Sequence, residues 1–313
     1  MKYLVTGGAG FIGFSLSKKL LELGEEIVII DNLSDYYDVN LKKSRLDRLD
    51  SAEIVVGDIS DVNFLKEVLE SYQIEKIIHL AAQAGVRYSI ENPFEYEKSN
   101  NLATLNIFQS AKEFEINHII YASSSSVYGG NNKHPFSISD KVDTPVSLYA
   151  ATKKYSELMA HVYFHLHGIK STGLRFFTVY GPWGRPDMSI FKFTKSIING
   201  EKIDIYNNGD HVRDFTYIDD IVSGIIKALE ANTGYSIYNL GNNKPIELMK
   251  LISLIEENLG IEAQKNYLPM QMGDVHTTYA DIDITKEELG WEPKVNIDEG
   301  LKLFIDWYKD YYL

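Results

Sequence analysis

Two groups of residues in the chain have types and spacings suited to chemistry. The first is Tyr149-x-x-x-Lys153, with Ser124, Ser125 and Ser126 upstream. Helix positions four apart share a face, so a phenol and an ammonium can point into one site. The use of such a pair is proton abstraction. A free tyrosine has a pKa of ~10, and acting as base near neutrality needs a shift of roughly 3 units, about 4 kcal/mol. A lysine cation and an oxidised nicotinamide would supply it, and a serine hydroxyl can relay the proton or hold the reacting oxygen. By itself Y-x-x-x-K is ordinarily a surface tyrosine beside a solvated lysine. Three neighbours overturn that reading: a glycine loop earlier in the chain, a strand ending in serines, and a helix that begins just after Pro145.

The second group is Gly7-Gly8-Ala9-Gly10-Phe11-Ile12-Gly13, between the first apolar run and the first helical pattern. Glycine is needed there for a tight turn, for contact between backbone and a pyrophosphate, and for close packing of helix on sheet. The phosphate then sits at a helix N-terminus, where free N–H groups favour negative charge. The strand–turn–helix setting separates this loop from a chance match. Asp31 follows 18 residues after Gly13. An acid at that strand end hydrogen-bonds the adenine ribose and repels a 2′-phosphate, which favours NAD over NADP. Gly57-Asp58-Ile59 fits either a loop beside the adenine or, through Asp58, an N-cap for the next helix.

These residues need elements to hold them. Apolar runs at Tyr3–Thr6, Glu26–Ile30, Glu53–Val56, Lys76–Leu80, His118–Ala122 and Lys170–Arg175 read as strands. Helical patterns at Phe11–Leu23, Val62–Tyr72, Phe94–Phe114 and Ser147–His167 separate them. The alternation implies an α/β fold with a doubly wound, Rossmann-type parallel sheet. The second half is less regular, with helices expected at Ser189–Asn199, Asp219–Glu230, Glu247–Leu259 and Ile297–Tyr311 and a strand at Ser236–Leu240. We divide the chain into a dinucleotide-binding domain, 1–175, and a smaller α/β substrate domain, 176–313, with segments around 214–240 returning to the first sheet.

Composition narrows the function classes. The chain has 313 residues, a net charge of −13 and no cysteine. Disulfides, a thiolate nucleophile and cysteine-held metals are excluded. The acidic field argues against nucleic acid and anionic membranes as partners, and requires local basic residues if the substrate is an anion. No apolar run is long enough to span a membrane. Glycines interrupt the apolar start at Gly7 and Gly8, so the fold is expected to begin at residue 1 and the protein to be cytoplasmic. His161, His165 and His167 decorate a helix without metal-ligand spacing, and no metal is expected.

Taken together, the glycine loop, Asp31, Ser123-Ser124-Ser125-Ser126-Val127-Tyr128-Gly129 and Tyr149-Ala150-Ala151-Thr152-Lys153 resemble an extended short-chain dehydrogenase/reductase acting on nucleotide sugars. Asp35–Asn40, Ala81–Ser89, Arg175–Met188, Arg213–Asp220 and Gly273-Asp274-Val275 resemble its UDP-glucuronate 4-epimerase branch, and the likeness runs along essentially the whole chain. The resemblance implies Tyr149 as catalytic base, Lys153 as its partner and holder of the nicotinamide ribose, and Ser126 as the hydroxyl at the reacting C4 oxygen, a place often taken by Thr. It implies NAD contacts from Gly7, Gly10, Phe11, Ile12, Gly13, Asp31, Asn32, Asp58, Ile59, Ala81, Tyr149 and Lys153. Related decarboxylases and dehydratases typically carry Glu just before Val-Tyr-Gly. Ser126 stands there instead, which separates this chain from them.

The implied substrate is UDP-glucuronate, and its C4-oxidised form is a β-keto acid prone to lose CO₂. Ser124, Ser126 and Thr178 are expected to hold the carboxylate, with Ser125 alongside, in an orientation that disfavours cleavage. Arg87, Arg185, Arg213 and Asp274 are the remaining substrate candidates, Arg213 first for the diphosphate. For Arg87 and Arg185 an ordinary surface ion pair is the competing reading. Related enzymes often carry Arg before the Gly-Asp matched by Gly273-Asp274, where this chain has Met272. Trp307, Tyr308, Tyr311 and Tyr312 are read as helix packing. Leu102, Leu105, Phe108, Leu158, Met159 and Val162 give two helices excess apolar surface, which with the resemblance implies a homodimer through a four-helix interface. The alternatives are a 4-epimerase of UDP-glucose or UDP-N-acetylglucosamine, a UDP-glucuronate decarboxylase, and a non-catalytic NAD-binding sensor.

Overall fold

The computed structural model describes residues 1–231, 234–271 and 275–313. The strands are β1 (Lys2–Thr6), β2 (Glu26–Asp31), β3 (Glu53–Val56), β4 (Lys76–His79), β5 (His118–Ser124), β6 (Lys170–Phe176), β7 (Thr178–Tyr180), β8 (Lys202–Ile205), β9 (Val212–Tyr217), β10 (Tyr235–Leu240), β11 (Pro245–Glu247), β12 (Gln264–Tyr267) and β13 (Thr277–Thr278). The helices are α1 (Phe11–Glu22), α2 (Val39–Leu46), α3 (Val62–Ser71), α4 (Tyr88–Glu91), α5 (Pro93–Tyr96), α6 (Ala103–Glu113), α7 (Leu148–His167), α8 (Ser189–Ile198), α9 (Ile218–Ala231), α10 (Leu248–Leu259), α11 (Asp283–Leu289) and α12 (Ile297–Tyr312). No helix among the described residues is long and apolar enough to cross a membrane.

A seven-stranded sheet in the order β10-β6-β5-β4-β1-β2-β3 organises the first half. Every pairing in it is parallel. Its central strands are apolar runs because both faces are covered. Tyr3 and Val5 of β1 join the core beneath α1 and α9, whereas Leu4 joins the core beneath α3, α6 and α7. The strand order reverses between β1 and β4. At such a switch point the loops at the carboxyl ends diverge and leave a crevice for a ligand.

β9 lies in a second sheet with β11, β13 and β7, and β8 pairs with β12. Asp214 organises this region. Its buried carboxylate accepts the amides of Asn242 (2.7 Å), Asn243 (3.0 Å) and Ala280 (3.0 Å), fixing two loops against the strand that carries Arg213.

The helix expected over Phe94–Phe114 runs without a gap from Pro93 to Glu113 but widens part-way along. A π-helical turn, Glu97–Leu102, separates α5 from α6. The cause is Asn100. Its buried amide accepts the Gln83 N–H (2.8 Å) and donates to the Gln83 carbonyl (3.0 Å) and the Thr152 hydroxyl (2.9 Å). The widened turn lets one side chain tie the loop after β4 to α7.

Candidate active site

The glycine loop closes tightly on its surroundings. Gly7 has φ +73°, and a Cβ there would lie 2.7 Å from the Ala81 nitrogen. A Cβ on Gly13 would lie 2.2 Å from the Gly7 carbonyl oxygen. Gly10 begins α1 without a side-chain cap, which leaves first-turn amides to a ligand. Asp31, at the end of β2, accepts the amides of Ala9 (3.0 Å) and Leu33 (2.9 Å). A carboxylate offers about four lone-pair sites, so capacity remains for ribose hydroxyls. Loop, uncapped helix and acid together fit a dinucleotide. Asp58 is not a helix cap: Asp61 caps α3, bonding the amides of Asn63 and Phe64. Asp58 instead accepts Lys98 (2.8 Å) and the Ser60 amide (2.9 Å). Burial opposes its charge, and these two hydrogen bonds overcome it to hold the carboxyl below the usual range.

Tyr149 stands in the first turn of α7, whose N-cap Ser147 accepts the Ala150 amide at 3.1 Å. The positive end of that helix favours a phenolate. Lys153, one turn on, donates to the Ala122 carbonyl (3.0 Å), its nitrogen 6.0 Å from the Tyr149 ring centre. Ser124 ends β5 and donates to Ser126 (3.2 Å), while the Ser126 amide returns a bond to Ser124 (3.1 Å). Ser123 points elsewhere, to Glu157 (2.7 Å), whose buried pairing with Arg175 (2.8 and 2.9 Å) fastens α7 to β6.

Burial dominates the electrostatics of this pair. Burial pushes Tyr149 above its ordinary value, opposed by the Ser124 hydroxyl and the Arg185 guanidinium. Burial also lowers Lys153, to about 8. A low-dielectric pocket drives both groups toward their neutral forms.

Arg185 was read as a substrate candidate, and the structure gives it a partner: its guanidinium grips Asp187, which also accepts the Tyr36 hydroxyl (3.2 Å). Burial and Arg185 act oppositely on Asp187, and the guanidinium wins, holding the carboxyl low. Burial raises Tyr36 to about 12. Arg213 donates to the carbonyls of Val212 (3.0 Å), His276 (2.8 Å) and Val275 (2.7 Å). Arg87 lies over the Tyr206 ring at 4.8 Å.

One cavity of about 960 Å³ gathers these groups. Gly7, Gly10, Phe11, Ile12, Gly13, Asp31, Asn32, Asp58, Ile59 and Ala81 line one part of it; Ser124, Ser125, Ser126, Tyr149, Lys153, Thr178, Arg87, Arg185 and Arg213 line the rest. Asp274, with Met272 and Gly273, lies outside the described residues. Sequence reasoning missed Tyr36, Asp187, Lys192, Tyr206 and His211, which also line it. Tyr36 and Asp187 lay inside the stretches that carried the resemblance, so a signal was present; Lys192 and Tyr206 gave none. Among the described residues no cluster of three or more His, Cys, Asp or Glu could hold a metal.

The family model described as GDP-mannose 4,6 dehydratase matches residues 4–304. An uncharacterized protein of Methanocaldococcus jannaschii is 55% identical over 98% of this chain and 97% of its own. A UDP-glucuronate 4-epimerase of Thermodesulfobacterium geofontis is 47% identical over 98% of this chain and 96% of its own. The crystal structure of UDP-glucuronic acid 4-epimerase from Bacillus cereus, in complex with UDP-glucuronic acid and NAD, superposes with a TM-score of 0.94 at 33% identity, covering 100% of both chains. The chain belongs to the GDP-mannose 4,6 dehydratase family of the short-chain dehydrogenase/reductase type, within which its relatives include UDP-glucuronate 4-epimerases.

Proposed function

We propose that the protein is an NAD-dependent isomerase that interconverts UDP-glucuronate and UDP-galacturonate by transient oxidation at C4 of the sugar. The observation that carries this reading is the shared cavity into which the glycine loop, Ser124, Ser126, Tyr149 and Lys153 all open. NAD, when bound, takes a hydride from C4 and gives it back to the opposite face. Gly7, Gly10 and Gly13 with the first turn of α1 would hold its pyrophosphate, Asp31 the adenine ribose and Lys153 the nicotinamide ribose.

The chain's own residues manage the proton and the geometry. Tyr149 removes the proton from the C4 hydroxyl through its phenol oxygen and returns it after the ring has turned. The Lys153 cation and the N-terminus of α7 favour the phenolate. Ser124 hydrogen-bonds the phenol and donates to Ser126 (3.2 Å), whose own hydroxyl proton goes to the reacting oxygen. No acid stands at 126 to drive decarboxylation or dehydration, and the neutral donor Thr178, beside the two serines, holds the sugar carboxylate. Arg213, with Arg87, offers positive charge to the diphosphate within a chain of net charge −13.

On this reading residues 1–175 chiefly bind the cofactor and 176–313 the UDP-sugar, with β10 completing the first sheet. The protein pairs with a second copy through α6 and α7. Leu158, Val162 and Leu166 form an exposed apolar stripe at four-residue spacing on α7, which supports that arrangement.

Incubating the purified protein with UDP-glucuronate and separating the products tests the reading. UDP-galacturonate is the expected product. UDP-xylose would make the protein a decarboxylase, and absence of any product, with UDP-glucose and UDP-N-acetylglucosamine tried in turn, would make it a sensor.

A further inference from the structure

Arg45 heads the fully buried side chains by size, and nothing in the proposed reaction uses it. It stands on α2, behind the cavity rather than in its wall. One guanidinium nitrogen donates to the Ala9 carbonyl (2.8 Å) and the Tyr37 hydroxyl (2.7 Å). The other donates to the carbonyls of Trp183 (2.6 Å) and Gly184 (3.3 Å). Among the described residues its Nε has no partner. All four acceptors are neutral, and beside them the guanidinium has the face of the Tyr37 ring, 5.5 Å from its carbon, so none of these partners carries a counter-charge. Burying a cation this way is costly unless something else compensates it.

The two sides of this clamp matter. Ala9 belongs to the glycine loop, one residue before the uncapped start of α1. Trp183 and Gly184 form the turn that ends in Arg185, the residue that grips Asp187 and draws down the Tyr149 pKa. Trp183 has φ +63°, a strained conformation for a bulky residue. Its ring is wedged against Phe14, Trp307 and Tyr311, at 5.6, 5.3 and 4.9 Å between centroids, and Arg48 covers it at 4.4 Å. These neighbours hold the Trp183 ring, whereas the carbonyls of Trp183 and Gly184 are tied to the loop through Arg45.

We propose that Arg45 is a positioning residue that couples the dinucleotide loop to the turn presenting Arg185, so that filling one end of the cavity raises affinity at the other. This rests on the reading that the loop holds NAD and the Arg185 end holds a UDP-sugar. An anionic diphosphate on the loop supplies the counter-charge the chain withholds from Arg45. The guanidinium, held firmly, then fixes the Trp183 and Gly184 carbonyls and with them Arg185. Coupling of this kind is reciprocal.

The test follows NAD loss from the loaded, folded protein after dilution, with and without saturating UDP. In the wild type UDP should slow the loss about tenfold. In Arg45→Lys, NAD should leave faster and the ratio with and without UDP should fall to about 1. A merely structural role would speed the loss equally in both conditions and leave the ratio unchanged; that result, or a wild-type ratio of 1, overturns the proposal. If Arg45→Lys does not fold, Tyr37→Phe removes one of the four acceptors and should lower the ratio part-way, and an unchanged ratio overturns it. UDP binding to the wild type, measured directly by calorimetry, separates the two readings. No binding fails the nucleotide-sugar reading and the coupling with it, whereas binding with a ratio of 1 fails only the coupling.

Discussion

Lys153 is a charge held where the fold disfavours it. Its pKa falls from 10.5 to about 8 through burial, which corresponds to a penalty of roughly 3 kcal/mol when protonated. Lys153→Met should therefore stabilise the cofactor-free protein by up to roughly 3 kcal/mol at pH 7 while stopping turnover. Chemical denaturation at several pH values checks this. Below about pH 8 both folded and unfolded chains keep the proton, and the gap between variant and wild type is constant. As pH rises from about 8 to 10.5 the fold releases the proton first, wild-type stability recovers and the gap closes. Thr178 carries a second prediction: Thr178→Ala should release a UDP-pentose beside UDP-galacturonate, since the β-keto acid loses one restraint on its carboxylate. Epimerisation at the normal rate with no such product contradicts that role. The residue types were legible because Tyr, Lys and the serines fall at spacings that a helix and a strand end bring together. Arg45 was not, because in sequence it is one more charge in the run Lys42-Lys43-Ser44-Arg45 and only the fold turns it inward.

α7 shows how an element sets its residues. Ser147 caps it, Tyr149 falls in the first turn and Lys153 one turn later, so the cap also steadies the phenol proposed as the base. Ser147→Ala should cost about 1 kcal/mol. It should lower the thermal midpoint by about 2 °C and reduce kcat several-fold, because the first turn frays where Tyr149 sits. An unchanged kcat with a lowered midpoint would separate the cap from the chemistry. α7 was readable from Pro145, Ser147 and its long apolar pattern, and β1 to β6 from their apolar runs. α2 was not, since a capped helix with Leu41 and Leu46 as its only large buried aliphatics looks like a polar loop. β7, β11 and β13 have three residues or fewer, too short for any period to register. The π turn at Glu97–Leu102 leaves the apolar spacing nearly helical, and the buried amide that reaches Gln83 from it is a tertiary contact.

Across the whole molecule, a chain of net charge −13 must admit an anion, and the cavity meets that with Arg87, Arg185, Arg213 and Lys192 along its wall. The doubly wound half was legible because each strand–helix unit is local in sequence. The second sheet was not, since β9 gathers partners from 178 to 278 and only the closed fold shows them together. The exposed stripe on α7 predicts a dimer. Leu158→Asp with Leu166→Asp should halve the mass in sedimentation velocity, and an unchanged mass would place the interface elsewhere. The account stands most directly on what happens to one hydrogen. UDP-glucuronate carrying deuterium at C4, given to the purified protein in ordinary water, should become UDP-galacturonate with the deuterium still at C4, and Tyr149→Phe should slow this by about 10² to 10⁴. Deuterium lost to solvent, or inversion undiminished without the phenol oxygen, would contradict it.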